Sequence, residues 1–199
     1  EARESSSIEN IVTTQDELYR ADLDLKGSAV SASTKEVMRY RIALREGFEL
    51  VRKQRILTNN IILKIQRALE ENHAGFRKLP GTVLKNQKGE TIYTPPQDGA
   101  DVLQLMQNLE KYINTPEIQD IDPLIKLAII HYQFETIHPF YDGNGRTGRI
   151  VCVLYLIINN LLDLTILYLS RYITSNKQEY YRLLQSIRES DNGATQWEQ

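Results

Sequence analysis

Cysteine is nearly absent from this chain. Its 199 residues include one, Cys152, which excludes an intramolecular disulfide framework and fits a reducing cytosol. Excess charge of either sign is also lacking: 24 basic residues face 26 acidic ones, for a net charge of -2. Nucleic-acid binding usually needs a basic face, and the overall balance offers none. No clean membrane span is present. The most apolar stretch, 150–169, is interrupted by Asn159, Asn160 and Asp163, so it reads as a buried helix followed by a turn. The first seven residues are charged and polar, which excludes a signal peptide. There is no internal repeat and no low-complexity tract. At 41% hydrophobic and 25% charged, the chain has the composition of one ordinary globular domain. Its charged start and its close on Trp197-Glu198-Gln199 suggest a fragment of a longer protein.

What is present is mostly helix. A short helix is expected over 5–12, and Thr13 and Thr14 before Asp16 and Glu17 predict a new N-cap. The stretch 26–34 reads as a loop, with Ser33 or Thr34 capping a long helix toward Ile56. Val37, Tyr40, Ala43, Leu44, Phe48 and Val51 fall on one face of it. Another helix starts at Asn59 or Asn60 and ends near residues 73–75. Residues 78–93 break the helical period. Thr82-Val83-Leu84 and Thr91-Ile92-Tyr93, separated by 86–90, predict a β-hairpin that Pro95-Pro96 ends. Helices follow over 98–113, 123–137, 144–160 and 177–188. In the second of these, Leu124, Leu127, Ala128, His131 and Phe134 form a face widened by Ile125, Ile129 and Tyr132, which predicts a central helix. The expected class is all-α, a helical bundle with one small β-hairpin.

Of the three histidines, one sits in the most informative run of the chain, His138-Pro139-Phe140-Tyr141-Asp142-Gly143-Asn144-Gly145-Arg146-Thr147-Gly148-Arg149. A proton acceptor, a carboxylate, a glycine-rich turn opening a helix and two arginines suit chemistry on a bound polyphosphate. His138 is the candidate general base and Asp142 the candidate Mg²⁺ ligand. Gly143, Asn144 and Gly145 would form the phosphate turn, with Arg146 and Arg149 neutralising phosphate charge. Pro139 biases His138 away from the helical region and Phe140 reads as a core anchor. His131 reads as structural, and His73 has no supporting context. Residues 143–148 also match a dinucleotide-binding fingerprint. That pattern needs a preceding strand in a βαβ unit, and here a helix precedes it. A Walker A loop is absent.

The run 138–149 resembles the signature of the Fic family, His-Pro-Phe-x-Asp/Glu-Gly-Asn-Gly-Arg-x-x-Arg, with every defining position filled. Weaker similarity extends to the hairpin between Pro80 and Pro96, to Leu105-Met106 with Leu109-Glu110, to His131 with Phe134-Glu135, and to Tyr180-Tyr181. The resemblance implies a protein adenylyltransferase that uses ATP and Mg²⁺ to place AMP on a Ser, Thr or Tyr hydroxyl of a target protein. It implies that Arg149 holds the γ-phosphate, and it offers Tyr180, Tyr181 and Asn176 for the adenine, although helix packing explains the tyrosines equally well. Ser5-Ser6-Ser7-Ile8-Glu9-Asn10 fits a second Fic pattern, Ser/Thr-x-x-x-Glu-Gly/Asn. By that resemblance Ser5, Glu9 and Asn10 belong to an inhibitory helix region, 1–12, with Glu9 paired to Arg149, ahead of a Fic domain over 13–199. The hairpin would dock an extended target segment at Thr82, Val83 and Leu84, where an ordinary surface hairpin is the other reading. Removal of AMP from a target, or transfer of another nucleotide or phosphate group, stays open within the enzymes. A nucleotide-binding interaction module stays open outside them. Bacterial cytoplasm is the implied location.

Overall fold

The computed structural model describes residues 1–23, 30–86, 88–115 and 121–189; part of the 26–34 loop and the 195–199 tail lie outside them. Among the described residues the order is α1 (Ala2–Ile8), α2 (Gln15–Asp22), α3 (Ala32–Gln54), α4 (Asn59–Glu70), β1 (Leu84–Lys85), β2 (Thr91–Tyr93), α5 (Gly99–Asn114), α6 (Pro123–Ile137), α7 (Asn144–Ile158), α8 (Leu169–Ser175) and α9 (Lys177–Glu189). The all-α reading with one hairpin holds.

The central helix is α7. Every residue from Arg146 to Ile157 is buried, as expected of a helix apolar all round over 150–157. Helices α3, α4 and α6 pack against it. Gly47 of α3 allows the close approach: a Cβ there would lie 2.7 Å from Leu154 and 3.0 Å from Ile65. The expected face of α3 is largely right, with Val37, Tyr40, Ala43, Leu44 and Val51 buried. The face expected for α6 is not. Lys126, Ile130, Phe134, Glu135 and Ile137 are buried, while Leu124 is 59% exposed. A helix apolar on every side carries no periodic signal of direction, so the pattern could not choose between faces. No helix of the described residues is long and apolar enough to cross a membrane.

Helix ends follow local capping chemistry. Thr14 and Glu17 form a reciprocal capping box on α2. Ser31, rather than Ser33 or Thr34, caps α3 through a bond accepted from the Thr34 N–H. Thr58 caps α4, which stops at Glu70 because Glu71 turns left-handed. Helix α1 is shifted from the expected 5–12: it starts after Glu1 and ends at Ile8, with Asn10 left-handed at φ 63°. The sequence reading missed α8, too short to show a period.

The hairpin is antiparallel and irregular, pairing Leu84 with Tyr93 and Lys85 with Thr91. Thr82 and Val83 precede the strand rather than belong to it. Gln97 pins its base, accepting from the Gly81 N–H at 2.7 Å and donating to the Thr82 carbonyl at 3.0 Å. Tyr93 donates to the Thr136 carbonyl of α6 at 3.1 Å, which sets the hairpin beside the end of that helix.

Candidate active site

The site is built where α6 ends and α7 begins. His138 terminates α6 in the left-handed region, φ 50° and ψ 61°. The pre-proline position is thus out of the helix, as expected, but left-handed rather than extended. A residue outside every motif holds it there. Arg77, 1% exposed, donates from Nε to the His138 carbonyl at 2.7 Å and from its terminal nitrogen to the Ile137 carbonyl at 3.1 Å. Its own backbone N–H reaches the Pro139 carbonyl at 2.8 Å. Arg77 therefore satisfies the C-terminal carbonyls of α6 and fixes the backbone carrying the imidazole. Burial pulls the His138 pKa down to about 4, which keeps the ring neutral near pH 7.

The loop that follows is braced from inside. Phe140 is fully buried between Phe76 and Phe134, at ring distances of 5.4 Å and 6.3 Å. The Asn144 amide clasps Phe140 at both backbone groups, accepting its N–H at 2.8 Å and donating to its carbonyl at 2.9 Å. The Asn144 side chain thus shapes the turn. Asp142 is exposed and accepts from the Gly143 N–H at 2.6 Å. Gly143 has φ 74°, and a Cβ there would strike the Glu70 carboxylate. Helix α7 then starts without a side-chain cap. A helix start with no side-chain cap leaves its first N–H groups and its dipole for an anion.

The two arginines have different surroundings. Arg146 is 3% exposed and committed to two carboxylates, Glu36 of α3 at 3.0 Å and Glu70 of α4 at 2.8 Å. Beside the expectation that it neutralises phosphate stands this second role: its side chain points into the α3–α4 packing and ties three helices together. Burial raises the Glu70 pKa against the pull of Arg146, with Asp142 and Glu36 adding repulsion. Arg149 is 1% exposed and turned toward α1. Its Nε donates to the Ser5 hydroxyl at 2.8 Å, and one terminal nitrogen donates to the Ser5 carbonyl and the Glu9 carboxylate, each at 2.9 Å. The Glu9 carboxylate stands directly over Gly145, where any Cβ would collide with it. Burial works against the Arg149 charge, but Glu9, Tyr180, Tyr40 and Glu135 together outweigh it and hold the pKa above its ordinary value. Asn10, in the left-handed region that asparagine tolerates, turns the chain away after Glu9.

Helix α1 is held at both ends. The Glu1 carboxylate accepts from the Ser170 N–H at 3.2 Å and from its hydroxyl, and Lys177 donates to the Ile8 carbonyl at 2.7 Å. The residues offered for adenine divide. Tyr180 is half-buried, its hydroxyl 2.8 Å from His131 Nε2. Asn176, which follows α8, is exposed and donates to the Tyr172 carbonyl of that helix at 2.9 Å. Tyr181 is half-exposed, edge-on to Tyr180 at 5.1 Å, and feels the charges of Glu9 and Arg149. His131 is structural: burial takes its pKa to about 4, and its other nitrogen lies 3.4 Å from Cys152 Sγ. Of the flap residues, Leu84 lies in β1, Val83 is exposed, and the Thr82 carbonyl is taken by Gln97. Glu36, Glu70 and Arg77 carried no motif that could have singled them out. Glu135 did carry a signal, an acid amid the apolar residues of α6.

A family model described as the Fic/DOC family matches residues 56–156, and one described as its N-terminal region matches residues 1–49. Over 82 residues the chain is 39% identical to a protein named protein adenylyltransferase Fic from Drosophila erecta and 38% identical to that of Drosophila yakuba. Those alignments cover 41% of this chain and 15% of each relative, so the chain spans a small part of their length. In fold it is similar to a Fic family protein from Desulfovibrio desulfuricans G20, with a TM-score of 0.78 and 23% identity over 96% of this chain and 56% of that one. It is also similar to Fic-1 from C. elegans, with a TM-score of 0.69 and 23% identity over 98% of this chain and 58% of that one. At that identity these structures bear on fold alone.

Proposed function

The chain belongs to the Fic/DOC family, and from that membership and the site's geometry we propose that it transfers AMP from ATP to a hydroxyl group of a protein, under inhibition by α1. The observation that carries the reading is the convergence of a neutral histidine, an uncapped helix N-terminus and a buried arginine whose present partner is a carboxylate. His138 accepts the proton of the target hydroxyl. The hydroxyl oxygen attacks the α-phosphorus, the bond from that phosphorus to the bridging oxygen breaks, and pyrophosphate leaves with its electron pair. The N–H groups at the start of α7 hold phosphate oxygens, and Arg149 holds the end of the triphosphate.

The donor set fits magnesium. Among the described residues no group of three or more His, Cys, Asp or Glu side chains could hold a metal by itself. Asp142 is an exposed single carboxylate at the mouth of the phosphate turn, and magnesium needs one or two carboxylates when phosphates and water complete its shell. When bound, the ion would neutralise phosphate charge. Glu9 inhibits by occupying the guanidinium that the terminal phosphate needs. A nucleotide that cannot reach Arg149 leaves its α-phosphate out of line for attack. Tyr181, the exposed ring beside this pair, is the adenine contact that the reading favours.

The test is incorporation of label from α-labelled and γ-labelled ATP into protein, by wild type, Glu9→Gly and Glu9→Gly with His138→Ala. The reading expects α-label alone, raised by Glu9→Gly and abolished by the histidine change. Absence of α-label from all three, with ATP still bound, would reject it.

A further inference from the structure

Among the described residues, the hydrogen bonds of the Arg149 guanidinium all end on Ser5 and Glu9. On the reading above, α1 must withdraw before Arg149 can serve a phosphate, and the inference here rests on that reading. Withdrawal would strip a buried guanidinium of these partners, a strongly destabilising event unless another acceptor takes over. One lies within electrostatic reach of it, on α6 rather than beside α1. Glu135 of α6 is buried, and its Oε1 has no hydrogen-bond partner among the described residues. That oxygen lies 2.8 Å from where a Cβ on Gly148 would stand, one position before Arg149. Only glycine at 148 lets the carboxyl approach this stretch of α7.

We propose that Glu135 is a positioning residue for Arg149, the carboxylate that receives the guanidinium when Glu9 leaves, so that two acids compete for one cation. Six groups on the packed elements face Glu135: Arg149 and Cys152 from α7, Glu9 from α1, and Tyr180, Tyr181 and Arg188 from α9. Burial, opposed by Arg149 and reinforced by Glu9, pushes the Glu135 pKa up to about 7. Cys152 and Tyr181 are pushed to about 12 and Tyr180 is raised well above its ordinary value, so none of these three changes charge near neutrality. In the shut form Glu135 is thus protonated at and below neutral pH. Departure of the Glu9 charge lowers its pKa and the carboxyl loses its proton to pair with Arg149. Opening therefore releases a proton, and higher pH favours it up to the shut-form value of about 7, beyond which the effect levels off.

Hydrogen exchange at the α1 amides tests this without any transfer assay, so failure of the transferase reading would show separately. In the wild type, the ratio of observed to intrinsic exchange for residues 5–9 should rise between about pH 5.5 and about pH 7, by up to about tenfold per pH unit. Glu135→Gln mimics the protonated acid. It should leave the shut form intact and slow opening, with more protection than wild type and the largest difference near neutral pH. A residue that merely supports the core would do the opposite and loosen α1 when changed. Protection that is equal to wild type, or lower at unchanged melting temperature, overturns the proposal. If the variant does not fold, the wild-type pH series decides alone: a ratio independent of pH overturns the proposal.

Discussion

Arg77 donates to the carbonyl of His138 across 61 positions of sequence, and among the described residues no side chain nearer in the chain shares that task. Replacing it with Met would leave two helix-end carbonyls without their donor in a buried site, at about 2–3 kcal/mol of stability. The loop carrying the base would shift as well. The turnover number for AMP transfer in a Glu9→Gly background should then fall about tenfold or more while ATP affinity changes little. Arg77→Lys should recover part of the rate. Steady-state kinetics with calorimetric ATP binding would check this, and an unchanged turnover would refute it.

The glycines of the turn should respond differently to the same substitution. Gly143→Ala forces a side chain into the left-handed region and against Glu70, so it should cost about 1–3 kcal/mol in urea unfolding. Gly145 has no such strain, and a Cβ there meets Glu9 and Arg149 instead. Gly145→Ala should therefore expel Glu9 with little loss of stability, and α1 should become more susceptible to proteolysis. A melting temperature lowered equally by both changes would contradict the assignment.

Stability should fall on acidification. His131 and His138 titrate near 4 in the folded chain against 6.5 ordinarily, so between those values the unfolded chain binds two protons more. Glu135, raised from 4.5 to about 7, opposes them with one proton more in the folded chain. The net is one proton on the unfolded side between about pH 4.5 and pH 6.5, or about 1.4 kcal/mol of stability per pH unit, lost as pH falls. Glu135→Gln should steepen the loss and His131→Gln should flatten it, as read from urea midpoints at several pH values.

At the hairpin, Val83 is the exposed residue between the pinned Thr82 and the strand. If an extended target pairs there, Val83→Pro should raise the KM for target about tenfold and leave that for ATP unchanged. Equal effects on both constants would place the target elsewhere.

The parts of this protein that the sequence revealed are those whose information is local. The capping box at Thr14, the periodic face of α3 and the chemistry gathered in 138–149 each sit within one short window. The Glu9–Arg149 contact was expected by resemblance, and the structure contains it. The partners that the Arg146 and Asn144 side chains take were not legible, because a side chain's neighbours depend on packing. One is consumed by Glu36 and Glu70, the other by the backbone of Phe140. Arg77 lies in an irregular segment where no period points inward. The buried side of α6 was unreadable because the helix is apolar nearly everywhere.

The Glu9–Arg149 pair joins residues 140 positions apart, with the acid first. A ribosome adding about 5–20 residues per second makes Glu9 about 7 to 28 seconds before Arg149. When α7 finally folds, Glu9 is already waiting. Order of synthesis thus makes the form with Arg149 held by Glu9 the first folded form, and on the proposed reading a newly made molecule begins life switched off.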